Sequence, residues 1–396
     1  MGFWDTVERI RMRILPPSAK GVYATFDEMK DIFRVMQGRM EALAEDNKRL
    51  HEEYERLFAR VEQADIGINE NINYKFEDRL LPRICRMSRE LAACDTHERF
   101  LLWEIARKEG ETVRETKMRV HRSLPRATGV LRLLQRGNAA LLREFAALCD
   151  AHGLSYFISY GTLLGAVRQG GFVPWDDDLD VNMAFEDFEY LAKIVENDDR
   201  YVLSVVYDQI VYCKQIRFRY ADAAIPCFVD VFVHDYTKGT ERIARAYASL
   251  RNELVEAVKK EEGRLALGEE GKYLPADDAR SKGIANLFDQ YRRHAVEEGL
   301  ICSREEAVVF QYGLENMDGV PGRDYSFPMS DIFPLSRLAF EGIECFAPKE
   351  YEKVLASCYG DWLEFPNDIY THFEHIDKSK VDVGVLIGRF GCDDEE

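Results

Sequence analysis

The 396-residue chain lacks an excess of positive charge, a cysteine pair at Cys-x-x-Cys spacing and a long apolar run. It has 53 lysines and arginines against 71 aspartates and glutamates, a net charge of −18, which disfavours a nucleic-acid partner. The nine cysteines are scattered and odd in number, which indicates reduced thiols rather than a zinc site or a disulfide framework. Without a secretory signal or a membrane span, the sequence predicts a cytoplasmic protein.

Negative charge is instead concentrated in YFISYGTLLGAVRQGGFVPWDDDLDVNM, residues 156–183, where four aspartates fall within five positions. From Asp178 the alternation Asp-Leu-Asp-Val-Asn predicts a strand with Asp178 and Asp180 on one face. Carboxylates this close repel one another unless a cation or solvent relieves them. A pair of them suits Mg²⁺ or Mn²⁺. A solvated acidic turn is the alternative, but the apolar neighbours on both sides favour a metal site.

The order of elements around the aspartates predicts a nucleotidyltransferase-like site. A strand, Gly161-Thr162, a helix and a glycine turn precede the acidic strand. Gly161 allows a close backbone approach to phosphate, and Thr162 offers a hydroxyl and a helix N-cap. Asp230 is the single carboxylate in the apolar run 227–233. Because an unpaired buried carboxylate is costly, we expect Asp230 to face the same cation as Asp178 and Asp180.

These motifs resemble the signature of the LicD/fukutin phosphotransferases. The similarity extends to LLREFAALCDAHGLSYF (141–157), Lys214-Gln-Ile-Arg217, Asp230-Val-Phe-Val-His-Asp235 and YEKVLASCYGDWLEFP (351–366). The resemblance implies metal-dependent transfer of phosphocholine or a related polyol or amino-alcohol phosphate. The donor would be CDP-linked, the acceptor a hydroxyl of a cell-surface glycan or its precursor, and CMP would be released. One departure is Gln169, where the family often has His, and it leaves the identity of the donor open.

A CDP-linked donor carries a diphosphate, so the resemblance also implies cationic side chains near the metal. Arg168, Lys214 and Arg217 are the candidates, because Arg binds phosphate through a bidentate fork and Lys acts as a point charge. Surface positions are the alternative for each. Asp235 could bind donor, acceptor or metal. Trp175 could contact a quaternary ammonium group through its ring or simply wall the loop.

The implied reaction is in-line attack by the acceptor hydroxyl on phosphorus, and a carboxylate must accept the proton. We expect Asp176 to be this base, because strand alternation from Asp178 places both residues on one face. The same alternation turns Asp177 to the other face, where a structural role is expected. The predicted catalytic set is therefore Asp176, Asp178, Asp180 and Asp230, and the last three are the predicted metal ligands.

The predicted fold class is α+β, a nucleotidyltransferase-like mixed sheet flanked by helices and preceded by an N-terminal coiled-coil helix. The predicted parts are an amphipathic helix 1–20, a coiled coil 21–68, a helical connector 69–135, a LicD-like catalytic domain 136–380 with a helical insertion 240–298, and a tail 381–396. Heptads with Asn47 at an a position favour a parallel homodimer, with a single helix packed on its own domain as the alternative. Residues 1–20 combine an apolar face with arginines, which predicts either peripheral contact with the cytoplasmic face of the membrane or docking on the protein itself.

Three functions remain open at the level of sequence. The first is the CDP-linked phosphotransferase that the resemblance implies. The second is a nucleotidyltransferase that moves a nucleoside monophosphate from a nucleoside triphosphate, since one fold geometry serves both reactions. The third is a coiled-coil scaffold with a lapsed catalytic domain, against which the intact carboxylates argue.

Overall fold

The computed structural model describes residues 34–57 except 36, 40 and 43, residue 96, and residues 99–208, 212–265, 273–316, 325–365 and 381–391. The chain divides into two compact units, Met1–Thr116 and Lys117–Glu396. The described residues of 34–57 are helical, and their pairing with a second chain stays a prediction. The predicted amphipathic helix 1–20 lies outside the described residues. None of the helices in the described part of the chain is long and apolar enough to cross a bilayer.

From residue 113 onward, the described residues form nine α-helices and ten strands. The α-helices are α1 (Val113–Arg122), α2 (Gly129–His152), α3 (Tyr160–Gln169), α4 (Phe185–Val195), α5 (Glu241–Leu265), α6 (Lys282–Glu297), α7 (Met329–Ile332), α8 (Tyr351–Tyr359) and α9 (Val383–Phe390). The strands are β1 (Tyr156–Ile158), β2 (Asp180–Ala184), β3 (Tyr201–Asp208), β4 (Cys213–Tyr220), β5 (Phe228–Thr237), β6 (Tyr273–Pro275), β7 (Val309–Tyr312), β8 (Phe327–Pro328), β9 (Ser336–Phe340) and β10 (Ile343–Ala347).

The main sheet is mixed, as predicted. Within the described residues it has eight strands in the order β1-β2-β5-β4-β3-β6, with β7 on the later part of β5 and β8 on β7. The pair β2–β5 is parallel, while β1–β2, β4–β5, β3–β4 and β5–β7 are antiparallel. Strands β9 and β10 form a separate antiparallel ladder. The α+β class predicted from the sequence is therefore confirmed.

One face of this sheet is an apolar core. The alternate residues Val229, Val231 and Val233 of β5 are almost fully buried on it, and burial of such side chains is the main favourable term in folding. Helix α2 covers the same face, because the ring of Phe145 lies 5.3 Å from that of Phe218 on β4. Strand alternation then places Asp230, between two of the valines, on the opposite face.

One predicted segment boundary falls within a helix, and the predicted tail contains another helix. Residue 136, the predicted start of the catalytic domain, lies inside α2. Helix α9 lies in the predicted tail, and its Phe390 packs close to Gly137 of α2. The range 240–298, predicted to be an insertion, contains α5 and α6, and it also contributes β6, which pairs with β3.

Candidate active site

Three charged residues form a row across adjacent strands on the face opposite the core. Asp180 of β2 lies directly beside Asp230 of β5 in the parallel register. Arg217 of β4 lies opposite Asp230 in the antiparallel register, and its Nε donates to Asp230 Oδ1 at 2.8 Å. Because directly paired residues share a face of the sheet, the fold brings the two predicted carboxylates and one predicted cation together.

The aspartates form two overlapping groups of oxygen atoms. Asp178, Asp180 and Asp230 each offer a carboxylate oxygen within 4.8 Å of the others, and Asp176, Asp177 and Asp178 form a second such group. Asp178 and Asp180 are each only 8% exposed. Several carboxylate oxygens converging in a largely buried place are the donor set that hard divalent cations prefer. The chemistry of these residues therefore fits Mg²⁺ or Mn²⁺.

The strand begins later than the alternation predicted. It starts at Asp180, because the carbonyls of Asp176 and Asp177 accept hydrogen bonds from Gln135 Nε2 at 2.8 Å and Asn138 Nδ2 at 2.7 Å on α2. The argument that strand alternation turns Asp177 away from its neighbours is therefore wrong. Its side chain is buried, and one carboxylate oxygen belongs to the group with Asp176 and Asp178 but not to the group of Asp178, Asp180 and Asp230.

Burial and mutual repulsion perturb the protonation of this cluster. Burial, followed by the charge of Asp178 and a hydrogen bond with it, raises the pKa of Asp176 well above its ordinary value. Burial and the charges of Asp178 and Asp230 likewise raise the pKa of Asp180, against the lowering effect of a hydrogen bond from the Gly161 amide. Without a cation, the folded protein therefore retains protons here that the unfolded chain releases.

We expect the metal-free Asp176→Asn variant to be more stable than the wild type at pH 8 and to lose that advantage as the pH falls towards 4. Between the unfolded pKa near 3.8 and the raised folded pKa, the folded wild type binds more protons, so its stability falls as the pH rises. Asn removes this dependence and can still donate a hydrogen bond to Asp178. Thermal unfolding of both proteins in chelator across this pH range is the measurement, and a difference independent of pH would contradict the expectation.

Gly161 and Thr162 position the carboxylates at the start of α3. A Cβ atom on Gly161 would lie 2.5 Å from Asp176 Oδ2, so any larger residue at this position would force the Asp176 carboxylate to move. The hydroxyl of Thr162 accepts a hydrogen bond from the Asp180 amide at 2.8 Å. The predicted helix cap at Thr162 is wrong, since Ser159 occupies the N-cap position. The side chain of Thr162 ties the helix to β2 instead.

Arg168, which was predicted to bind the phosphate of the donor, instead donates hydrogen bonds to main-chain carbonyls. Its Nη2 donates to the carbonyl oxygens of Trp362 and Glu364, the latter at 2.8 Å, and the residue is 2% exposed. Burial lowers the pKa of Arg168 to about 10. His121 Nε2 lies 2.8 Å from the carbonyl oxygen of Leu363 in the same segment. Arg168 therefore braces the segment 361–365, and its assignment as a donor-binding cation is corrected to this role.

We expect Arg168→Gln to lower the melting temperature by several degrees without raising the Michaelis constant for the phosphate donor more than about twofold. The reason is that the substitution leaves buried main-chain carbonyls without their charged donor, a cost of about 1–3 kcal/mol. Thermal unfolding and donor kinetics on the same preparation check both parts. A large rise in the Michaelis constant with unchanged melting temperature would restore the phosphate-binding role.

Lys214 and Asp235 lie on the other face of the sheet. Lys214 is three residues from Arg217 on β4, and Asp235 is five residues from Asp230 on β5. Because both separations are odd, strand alternation directs Lys214 and Asp235 away from the face that carries the carboxylates. The buried carboxylate of Asp235 instead pairs with Arg292 at 2.7 Å and accepts from the Tyr247 hydroxyl at 2.6 Å. The predicted roles of Lys214 and Asp235 at the site are corrected accordingly.

Arg292 joins Asp235 to a second carboxylate. Its guanidinium also donates to Glu315 through Nε at 2.9 Å and through Nη2 at 2.5 Å. Burial alone would raise the pKa of Glu315, but the Arg292 charge and hydrogen bond outweigh this and lower it. The cluster formed by Asp235, Arg292 and Glu315 fastens α6 of the insertion to β5.

Aromatic side chains lie near the carboxylate row, which is formed by Asp178, Asp180 and Asp230. The ring of Tyr160, the first residue of α3, lies 4.9 Å from Phe232, which follows Asp230 on the same strand face, and 5.0 Å from Tyr325. Tyr359 is 44% exposed, and desolvation followed by the charge of Asp180 raises the pKa of its hydroxyl well above the ordinary value. Trp175 is half-buried with its ring 6.5 Å from Phe365, and its role towards a donor stays a prediction.

Sequence reasoning missed several of these residues. Gln135 and Asn138 hold the acidic loop from a helix that lies far upstream, and Tyr359 reaches the site from α8. Local patterns of hydrophobicity contain no sign of such contacts. The sequence signal for Tyr359 is the resemblance of its segment, residues 351–366, to the LicD/fukutin signature.

Comparisons with known proteins identify relatives of the region that carries this site. Residues 153–253 match the family model described as LicD/FKTN/FKRP, nucleotidyltransferase domain. The chain is 23% identical over 264 residues to the lipopolysaccharide cholinephosphotransferase LicD of Haemophilus influenzae, a match that covers 61% of this chain and 94% of that protein. It is also 36% identical over 76 residues to an uncharacterized protein of Rickettsia prowazekii, covering 19% of this chain and 29% of that protein.

A second uncharacterized rickettsial protein, from Rickettsia typhi, is 40% identical over 55 residues, which is 14% of this chain and 18% of that protein. The family match contains the acidic motif, β4 and β5, and so the whole carboxylate row. The resemblance inferred from the motifs is confirmed: residues 153–253 match the LicD family model, and the chain is homologous to a LicD cholinephosphotransferase.

Proposed function

We propose that this protein transfers phosphocholine, or a related substituted phosphate, from a CDP-linked donor to a hydroxyl of a cell-surface glycan or its precursor and releases CMP. The observation that carries the proposal is the convergence of Asp178, Asp180 and Asp230 within a LicD-family domain. The broader class is given by homology: the protein is a transferase of phosphate-containing groups. The donor, the acceptor and the metal dependence are the proposed parts.

Asp178, Asp180 and Asp230 would hold a divalent cation, Mg²⁺ or Mn²⁺. When bound, such a cation supplies positive charge that stabilises the oxygens of a transferring phosphate. The protein supplies the rest of the arrangement. Arg217 anchors Asp230 through its Nε and retains further N–H donors. The glycine at 161 keeps the start of α3 open to the carboxylates, as its close approach to Asp176 requires.

We assign Asp176 as the carboxylate that accepts the proton of the attacking hydroxyl. It belongs to the acidic loop but not to the group formed by Asp178, Asp180 and Asp230, so it is free of the proposed ligand set. Its side chain lies against the start of α3, beside that group. A base must stand within hydrogen-bond reach of the hydroxyl it deprotonates, and a position next to the row would allow this for an acceptor bound there. A cation bound beside Asp176 would favour the ionised form that a base requires.

A nucleotidyltransferase reaction is the second candidate. It is favoured by the description of the matching family, which names a nucleotidyltransferase domain. In that case the protein would move a nucleoside monophosphate from a nucleoside triphosphate and release pyrophosphate. The two reactions differ in which product carries the nucleoside, so the products distinguish them.

The experiment is a panel of CDP-linked donors incubated with the full-length protein, Mg²⁺ and glycan acceptors, with nucleotides quantified and acceptors analysed by mass. CDP-choline, CDP-ethanolamine, CDP-glycerol and CDP-ribitol form the panel, and CTP is the matched control. We expect CMP and an acceptor heavier by the substituted phosphate, with CDP-choline as the preferred donor. Pyrophosphate from CTP would support the second candidate instead, and absence of both products would leave the scaffold function.

A further inference from the structure

Arg219 is a cation beside the carboxylate row that the reaction described above does not use. It lies on β4 two residues beyond Arg217, on the same face of the strand. The alternate residues Ile216, Phe218 and Tyr220 are buried in the core on the other face. Arg219 is therefore directed to the face that carries Asp180 and Asp230.

The register places Arg219 at the end of the sheet where the acidic loop enters. Arg219 pairs with Phe228, the first residue of β5, while Arg217 pairs with Asp230. Asp180 is the first residue of β2, which runs parallel to β5. Arg217 thus borders the carboxylate row on its β4 side, and Arg219 lies beyond Arg217, towards the edge at which Asp178 precedes β2.

Arg219 has no anionic partner within the described part of the chain. Its Nε is buried without a hydrogen-bond partner among those residues, whereas Arg217 is paired with Asp230. Burial and then the positive charge of Arg217 lower the pKa of Arg219. Two half-buried guanidinium groups side by side repel each other, and an anion bound between them would relieve that repulsion.

We propose that Arg217 and Arg219 form a binding site for the diphosphate group of the phosphate donor. The proposal rests on the proposed function and adds Arg219 to it as a donor-binding residue. Two arguments favour a diphosphate over a carboxylate ligand. Two arginines on alternate residues of one strand present two sets of paired N–H donors, which two linked phosphates can engage together and a single carboxylate cannot. The neighbouring carboxylates would repel an anion that arrives alone. A diphosphate bound to a metal ion brings a cation with it, and this reduces the repulsion.

The stacking of Arg217 adds to the site. Its guanidinium lies 3.9 Å from the ring centroid of Phe228, which holds it flat on the strand surface beside Arg219. Two guanidinium groups on alternate residues of a strand stand roughly 7 Å apart at their Cα atoms. The long arginine side chains can converge from this separation on two linked phosphates, and the phosphate bound by Arg217 would lie nearer the carboxylate row.

The test is calorimetric titration of the full-length protein in Mg²⁺ with CDP and, separately, with inorganic pyrophosphate. The variants are Arg219→Gln, Arg219→Lys and, as the matched control, Arg200→Gln, which removes an arginine that is 68% exposed and paired with Asp198. We expect Arg219→Gln to weaken both ligands by about 10- to 100-fold. Arg219→Lys should retain part of the affinity, and Arg200→Gln should match the wild type.

Unchanged affinity in a folded Arg219→Gln variant would overturn the proposal. So would absence of binding by the wild type, or loss of the thermal transition in both Arg219 variants, which would show a purely structural role. Turnover of CDP-choline separates the two proposals. If turnover occurs and Arg219→Gln leaves the Michaelis constant for the donor unchanged, the function stands and this inference fails. If pyrophosphate binding depends on Arg219 but no CDP-linked donor is used, the inference stands and the function fails.

Discussion

Asparagine at position 178, 180 or 230 is expected to reduce phosphate transfer by roughly 1,000-fold or more while leaving the fold intact. Each substitution keeps the size of the side chain and removes one of the negative charges whose oxygens lie within 4.8 Å of one another. The metal-free Asp178→Asn and Asp180→Asn variants should be no less stable than the wild type, because each substitution relieves repulsion between buried carboxylates. Asp230→Asn also removes the ion pair with Arg217, so its stability is not expected to rise. Donor turnover and circular dichroism on each variant are the measurements.

Two further substitutions act as controls. Asp199→Asn changes an exposed aspartate in a surface turn and should leave turnover unchanged. Asp177→Asn should keep measurable activity, because its oxygen does not belong to the group of Asp178, Asp180 and Asp230. Normal turnover by Asp230→Asn would show that the cation required for transfer is not held by this row. An inactive Asp177→Asn would instead place the cation site in the acidic loop 176–178.

Arg292→Met should lower the free energy of unfolding by about 3–5 kcal/mol, because removing one member of a buried charge cluster leaves the others uncompensated. The side chains of Asp235 and Glu315 are 0% and 4% exposed, and Arg292 itself is 11% exposed. Equilibrium denaturant unfolding measures the loss. The helical insertion should be the first part to open, since Arg292 fastens α6 to β5.

Arg280→Met is the matched control, because that arginine is 54% exposed and pairs with a nearby aspartate. We expect it to change stability by less than about 1 kcal/mol. Combining Arg292→Met with Asp235→Asn and Glu315→Gln should recover part of the loss, since the unpaired charges are then removed. A stability of Arg292→Met equal to that of the wild type would show that the cluster is not stabilising.

The carboxylate row could be predicted from the sequence because the signals for it are local. The acidic motif follows a strand, a glycine and a helix, and Asp230 stands alone in an apolar strand. The parallel register of β2 and β5 then brings Asp180 and Asp230 side by side, as expected. The predicted start of the strand was wrong because hydrogen bonds from α2 hold residues 176 and 177 outside the ladder.

The two cations differ in how much of their placement the sequence contains. The face of Lys214 can be read from the sequence, since an odd separation from Arg217 along one strand means opposite faces. Arg168 is different, because its partners are main-chain carbonyls of residues 362 and 364. Contacts of that range are created by the tertiary fold and leave no periodic pattern at either end. The coiled coil, the dimer and the lipid-binding helix remain predictions from the sequence.

Titration of metal-free protein with Mn²⁺, followed by calorimetry in the absence of any donor, tests the central claim most directly. The wild type should bind the ion, and Mg²⁺ should compete for the same site. Asp180→Asn and Asp230→Asn should each bind at least about 10-fold more weakly, because each removes a charged ligand. Asp199→Asn should bind like the wild type. Equal affinity and stoichiometry in the wild type, Asp180→Asn and Asp230→Asn would contradict the claim that this row of carboxylates holds a divalent cation.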